Sequence, residues 1–238
     1  QPSIDGLNTW LISRAASKKG WKVALSGVGL DEILGGYSSF NDIEKWMQNF
    51  GYISKRKKLS NLFYKNVNYL PLNLTKISPK FPGLFKYTYS TASTYFLKRC
   101  LFLPEELPLI LSKEIIEEGT EKLDLIECYS KHINQYDFKT EDSKISSLES
   151  CFYMKNQLLR DIDWAGMAHS LEIRTPFVDI NFLKKIQLFL SNKEKLNKKN
   201  LVYNFLKNRV PRDIINNPKT GFTVPLDNWL ENNKDISI

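Results

Sequence analysis

The five residues Trp21-Lys22-Val23-Ala24-Leu25, followed at once by Ser26-Gly27-Val28-Gly29, constrain the fold more than any other stretch of the chain. A short apolar run broken by glycines reads as a buried strand feeding a tight turn. Before it, Leu7, Trp10, Leu11 and Ala15 recur at helical spacing, and Lys18-Lys19-Gly20 supplies the cationic last turn and glycine stop of a helix. After it, Asp31-Glu32-Ile33-Leu34 can open another helix. Helix, strand, glycine turn and helix in that order make an α/β unit with a parallel sheet. No second strand is convincing, so the expectation is a mostly helical α/β chain with one clear parallel-type strand. One strand cannot make a sheet, which places its partners upstream of Gln1 in a longer protein.

The rest of the pattern is helical. Ile43, Trp46, Met47 and Phe50 fall at three- and four-residue steps from Asn41 onward. The Lys- and Asn-rich stretch that follows, with Pro71, Pro79 and Pro82, predicts an irregular crossing. Helices are expected over 95–101 and 105–118, the second with Pro104 in a first-turn position. A long helix over 147–164 would put Leu148, Cys151, Leu158, Leu159 and Ile162 on one face, and shorter ones follow over 182–189 and 199–206.

Composition excludes several function classes. At 238 residues and 42% hydrophobic, the chain can bury a full core as one domain or two small ones. Its net charge of +8 suits nucleic acid, anionic lipid or a nucleotide. The lysines are scattered through polar stretches such as 55–58 and 193–199, however, and no nucleic-acid module is recognisable, so no nucleic-acid partner is expected. Cys100, Cys128 and Cys151 are widely spaced and only His132 and His169 could join them, which argues against disulfides and zinc. No apolar run reaches the ~18 residues of a membrane span, and 1–5 lack signal-peptide character, so a cytoplasmic setting without membrane contact is expected.

The segment 26–32 sits where a strand ends and a helix begins. Backbone N–H groups there could form an anion cradle, glycines would let it approach a phosphate, and Asp31 could hold a magnesium ion against phosphate oxygens. In the alternative, the glycines only turn the chain while Asp31 and Glu32 complement the helix N-terminus. Spacing alone does not separate the two.

The full string Ser26-Gly-Val-Gly-Leu-Asp-Glu-Ile-Leu-Gly-Gly-Tyr37 resembles the Ser-Gly-x-Gly-x-Asp-Glu-x-Phe-Gly-Gly-Tyr motif of asparagine synthases. Two further segments resemble that family in order. One runs from Leu158-Leu159-Arg160-Asp161 through Met167-Ala168-His169-Ser170-Leu171-Glu172-Ile173-Arg174-Thr175-Pro176-Phe177-Val178-Asp179. The other is Pro218-Lys219-Thr220-Gly221-Phe222-Thr223-Val224-Pro225-Leu226, followed by Trp229-Leu230. The resemblance implies a partial ATP-pyrophosphatase domain of the adenine-nucleotide α-hydrolase type, with 1–238 as the C-terminal portion of a synthetase domain. It implies a ligase that adenylates a small carboxylate with ATP and Mg, releases pyrophosphate, and captures the adenylate with ammonia from a glutaminase domain of the parent chain. Ser26 and Gly27, with Gly29 in the same turn, would bind the nucleotide, and Asp31 the magnesium. Lys219 would face the departing pyrophosphate, where a cation stabilises developing charge.

Departures from the pattern limit this reading. Val28 stands where well-known asparagine synthases carry a glutamate, and valine can neither accept a proton nor bind a cation. An acceptor other than aspartate, such as a sugar acid, therefore stays open. The family's Ser-Gly-Gly-x-Asp-Ser pyrophosphate loop and the glutaminase cysteine are absent from the string, so these residues alone are expected to be inactive. A non-catalytic interaction module is the other alternative, and a homodimer is compatible with either. Glu172 and Arg174 are expected in buried ion pairs that fix a loop, Asp163 and Asp179 likewise, and His169 as a satisfied core or capping histidine.

Overall fold

The computed structural model describes residues 3–68, 80–191 and 209. The chain divides into two compact units, one drawn from residues up to Leu34 and from Ser150 onward, the other from Gly35–Glu149.

The first unit opens with helix α1, Ile4–Lys18, whose start is set by Ser3: its hydroxyl accepts the Gly6 N–H at 2.9 Å. The helix stops at the predicted glycine, since Gly20 takes a φ of +82° that other residues resist. Strand β1, Val23–Leu25, follows, and helix α2, Leu30–Leu34, comes after the glycine turn. Helix α10, Leu159–Met167, packs against α1 where Gly6 gives it room: a Cβ on Gly6 would lie 2.7 Å from the Trp164 ring and 2.9 Å from Asp161 Oδ1. Ala16, Ile162, Ala165 and Leu171 are buried around that contact. Asp161 is buried too, and its two oxygens accept Ser3 Oγ at 2.5 Å and Trp164 Nε1 at 3.0 Å.

A second strand, β2, Glu172–Arg174, corrects the expectation of one strand. It pairs parallel to β1 in the register Val23–Glu172, Ala24–Ile173 and Leu25–Arg174. Three residues with a single apolar side chain are too short to produce a period-two signal. The expectation that β1 is buried also fails here, because Val23 is 44% and Leu25 77% exposed. A 3₁₀ turn, Pro176–Val178, then leads to helix α11, Ile180–Ser191, which Asp179 caps by accepting the Asn181 and Phe182 N–H groups at 2.9 and 3.0 Å.

The second unit is helical: α3 Ser39–Ser54, α4 Lys57–Asn68, α5 Phe81–Tyr87, α6 Thr91–Arg99, α7 Lys113–Lys122, α8 Leu125–Asn134 and α9 Glu141–Leu148. Ile43, Tyr95, Leu97, Ile145 and Leu148 form its core, each no more than 1% exposed. Helix α4 replaces much of the predicted irregular crossing, held by Phe63 stacked on Phe85 at 5.4 Å, and Pro82 sits in the first turn of α5, where its missing N–H costs nothing. The expected helix over 105–118 begins only at Lys113. Pro108 confines the earlier residues to a 3₁₀ turn, Leu107–Leu109. The predicted helix over 147–164 is helical throughout, but Glu149–Leu158 has π-helical hydrogen bonding, so the single α-helical apolar face does not carry through it. The expected helix over 199–206, with Pro71 and Pro79, lies outside the described residues.

Candidate functional site

The parallel pairing of β1 and β2 brings the first two signature segments side by side. Glu172 N–H donates to Lys22 O at 2.9 Å and Ser26 N–H to Arg174 O at 2.8 Å, so the ladder runs up to the first residue of the glycine turn. The turn then rests on Phe177 and Val178: a Cβ on Gly29 would stand 3.1 Å from the Phe177 carbonyl carbon and oxygen and from a Val178 methyl. Gly29 also has a φ of +107°, a second reason for glycine here.

Within the turn, most amides are already engaged, which corrects the expectation of a cradle of free N–H groups. Val28 N–H donates to Ser26 Oγ at 3.3 Å, Gly29 N–H to Glu32 Oε2 at 3.0 Å, and Leu30 N–H to Gly27 O at 3.4 Å. Gly27 is the outward point of the loop, exposed, with open space where a Cβ would go. Asp31 is partly exposed beside it on α2, while Glu32 is 1% exposed with its carboxylate turned in toward the loop. The sequence offers Glu32 only the alternative role of complementing the helix N-terminus; its bond to the turn is seen in the structure. The signal was available, because a glutamate three residues after an N-cap position is the reciprocal half of a capping box.

A magnesium ion demands hard oxygen donors and is commonly held by one or two carboxylates together with substrate phosphates and waters. One accessible carboxylate beside an open glycine fits that pattern. Among the described residues, no three His, Cys, Asp or Glu side chains gather as a protein cage for a metal.

The remaining sequence-derived candidates fall in different places. Glu172 and Arg174 do pair, Arg174 Nε to Glu172 Oε1 at 2.8 Å, but on the surface, with side chains 59% and 62% exposed. The buried pair expected of them is not formed; strand alternation sends both outward while Ile173 turns in. The guanidinium's hydrogen bond and charge hold Glu172 below the usual carboxylate range. Asp163 is exposed on α10, and Asp179 is a helix cap, as described above. His169 is half-buried and meets Trp10 edge-on at 4.6 Å between ring centroids, and among the described residues its buried Nε2 has no hydrogen-bond partner, so the satisfied histidine expected there is not found among them. Lys219, Phe222 and the third signature lie outside the described residues. No described helix is long and apolar enough to cross a membrane.

The family model for asparagine synthase matches residues 5–236. Asparagine synthetase [glutamine-hydrolyzing] 1 of Bacillus subtilis (strain 168) is 29% identical over 234 residues, covering 91% of this chain and 33% of the relative. The chain thus spans about a third of the length of that relative. No solved structure matches the chain. With the family model matching residues 5–236, nearly the whole chain, the chain belongs to the asparagine synthase family.

Proposed function

We propose that these residues are the C-terminal part of the synthetase domain of a glutamine-dependent amide ligase, with an ATP-pyrophosphatase fold of the adenine-nucleotide α-hydrolase type. The observation that carries this reading is the bond from Ser26 N–H to Arg174 O, which sets the glycine turn against the second signature segment. The exposed Val23 and Leu25 support a larger sheet in the parent, since parallel sheets are normally covered on both faces.

In this reading, Ser26 and Gly27 would line the nucleotide, Gly29 lets the turn close on Phe177, and Asp31 would hold Mg2+. Lys219, which lies outside the described residues, would stabilise the departing pyrophosphate. A magnesium ion held there would neutralise charge on the phosphates; what the chain supplies is the turn that leaves Gly27 exposed and Asp31 partly exposed. A small carboxylate is adenylated and then aminated with ammonia from a glutaminase domain of the parent, in the cytoplasm. The 238 residues alone lack the upstream pyrophosphate loop in their sequence and are expected to be inactive.

A second reading concerns the acceptor. Val28 offers no acid, base or charge, which favours an acceptor other than aspartate, such as a uronic-acid sugar. Amide formation by the full-length enzyme with ATP, glutamine and either aspartate or a panel of uronic-acid sugars separates them. Product from the sugar acids alone supports the second reading, and product from aspartate alone removes it. Pyrophosphate exchange by the isolated 238 residues would overturn the expectation of inactivity.

A further inference from the structure

We infer that Glu32 is a positioning residue that holds the glycine turn in shape through its carboxylate, rather than a ligand of the metal or nucleotide; this rests on the nucleotide-site reading above. Its side chain is 1% exposed and Oε2 accepts the Gly29 N–H at 3.0 Å. Gly29 O in turn accepts the Ile33 N–H at 3.3 Å, so Gly29 stands as the N-cap of α2 and Glu32 as the residue three along, reaching back to the cap's own amide. The arrangement fixes the one residue of the loop held at positive φ and in close approach to Phe177. Gly27 and Asp31 lie on either side of Gly29, so the direction each faces depends on how Gly29 is held. A buried carboxylate bonded to backbone has its lone pairs directed into the protein, whereas neighbouring Asp31 is partly exposed. The two acidic residues of the motif thus divide the work, one outward and one inward.

Two substitutions separate reach from charge. Glu32→Gln keeps an acceptor oxygen at the same reach and removes the charge. Glu32→Asp keeps the charge but shortens the side chain by one methylene, roughly 1.5 Å, too short for the Gly29 amide. Both are made in the full-length enzyme and read by ATP–pyrophosphate exchange, with the half-saturating Mg2+ concentration and KM for MgATP measured for each. The inference predicts Glu32→Gln within about threefold of wild type, and Glu32→Asp about tenfold or more slower with a raised Mg2+ half-saturation, because small misplacements of reacting groups are costly.

The reverse order would make the charge decisive, assign Glu32 to the metal and overturn the inference. Loss of exchange with unchanged half-saturation and a lowered melting temperature would reduce it to a folding role and also overturn it, as would wild-type behaviour of Glu32→Asp. The nucleotide-site reading fails separately, if Asp31→Asn keeps full exchange whatever Glu32 does.

Discussion

The unit that carries the glycine turn and the unit over Gly35–Glu149 are held together by different means. In the first, the decisive contacts centre on backbone and glycine: a three-residue parallel pair, amides spent within the turn, and close approaches of Gly29 to the Phe177 backbone and of Gly6 to the Trp164 and Asp161 side chains. In the second, the centre is a side-chain cluster. Glu149 is fully buried and accepts Ser39 Oγ at 2.5 Å, Arg99 Nη2 at 2.6 Å and Tyr95 OH at 3.2 Å, with Arg99 also lying over the Tyr37 ring at 5.0 Å. Burial first, and then the Glu149 charge, push the Tyr95 phenol far above its ordinary range, so it stays a donor at all ordinary pH. The difference teaches where each unit is vulnerable: the first to added side-chain volume, the second to removed charge.

That contrast is broken or sharpened by substitution. The largest stability effect is expected for Glu149→Ala, which leaves the Arg99 guanidinium without its buried counter-ion. The loss should be about 3 kcal/mol, the low end for a broken buried pair, because Arg99 keeps 24% of its side chain exposed. Urea unfolding of the chain checks it, and a loss below about 1 kcal/mol, the scale of an exposed pair, would remove Glu149 as the centre of that unit.

Next comes Gly29→Ala, expected to cost roughly 2 kcal/mol because the new Cβ meets the Phe177 backbone in a strained conformation. Ser3→Ala should cost about 1–2 kcal/mol, losing the α1 cap and leaving Asp161 Oδ2 short of a donor. If Gly29→Ala proved harmless, the first unit would not depend on backbone proximity.

A smaller effect depends on pH. Burial alone would raise the Glu105 pKa, but the Lys86 and Tyr87 hydrogen bonds outweigh it and leave the carboxyl below its usual range. Because the folded-state value is depressed, the unfolded chain binds more protons between the two values. The stabilisation is therefore present above the ordinary carboxylate pKa of about 4.3 and is lost as pH falls through the folded value. Glu105→Gln should flatten that part of the denaturant-midpoint profile between about pH 5.5 and 3. The smallest effect is expected for Lys113→Ala: its pair with Glu117 at 3.5 Å is largely solvated, and the unfolding midpoint should not move measurably.

The first unit was the more legible in sequence where chemistry demands glycine. Gly20, Gly27 and Gly29 marked the helix end and the turn, and two of the three segments that resemble the family meet at the β1–β2 pair. What the sequence hid was local and short. Strand β2 has one apolar residue to announce it, and Glu32 differs from a solvated helix-end acid only through burial. In the second unit, helical spacing located α3 and α6, whereas α4 was obscured because lysines and asparagines dominate its outer face. Nothing in the spacing of Ser39, Tyr95, Arg99 and Glu149 shows that they meet, since contact over such separations is decided by tertiary packing. The π-helical stretch Glu149–Leu158 was likewise invisible, its residues being ordinary helix formers.

The claim that the glycine turn and Asp31 form part of an ATP site is tested most directly by ATP–pyrophosphate exchange in the full-length enzyme carrying Asp31→Asn. If Asp31 holds the magnesium as proposed, removing its carboxylate should lower exchange by about a thousandfold, on the scale of other lost electrostatic contacts to a developing charge, while the unfolding midpoint stays at the wild-type value. Exchange at the wild-type rate would contradict the account.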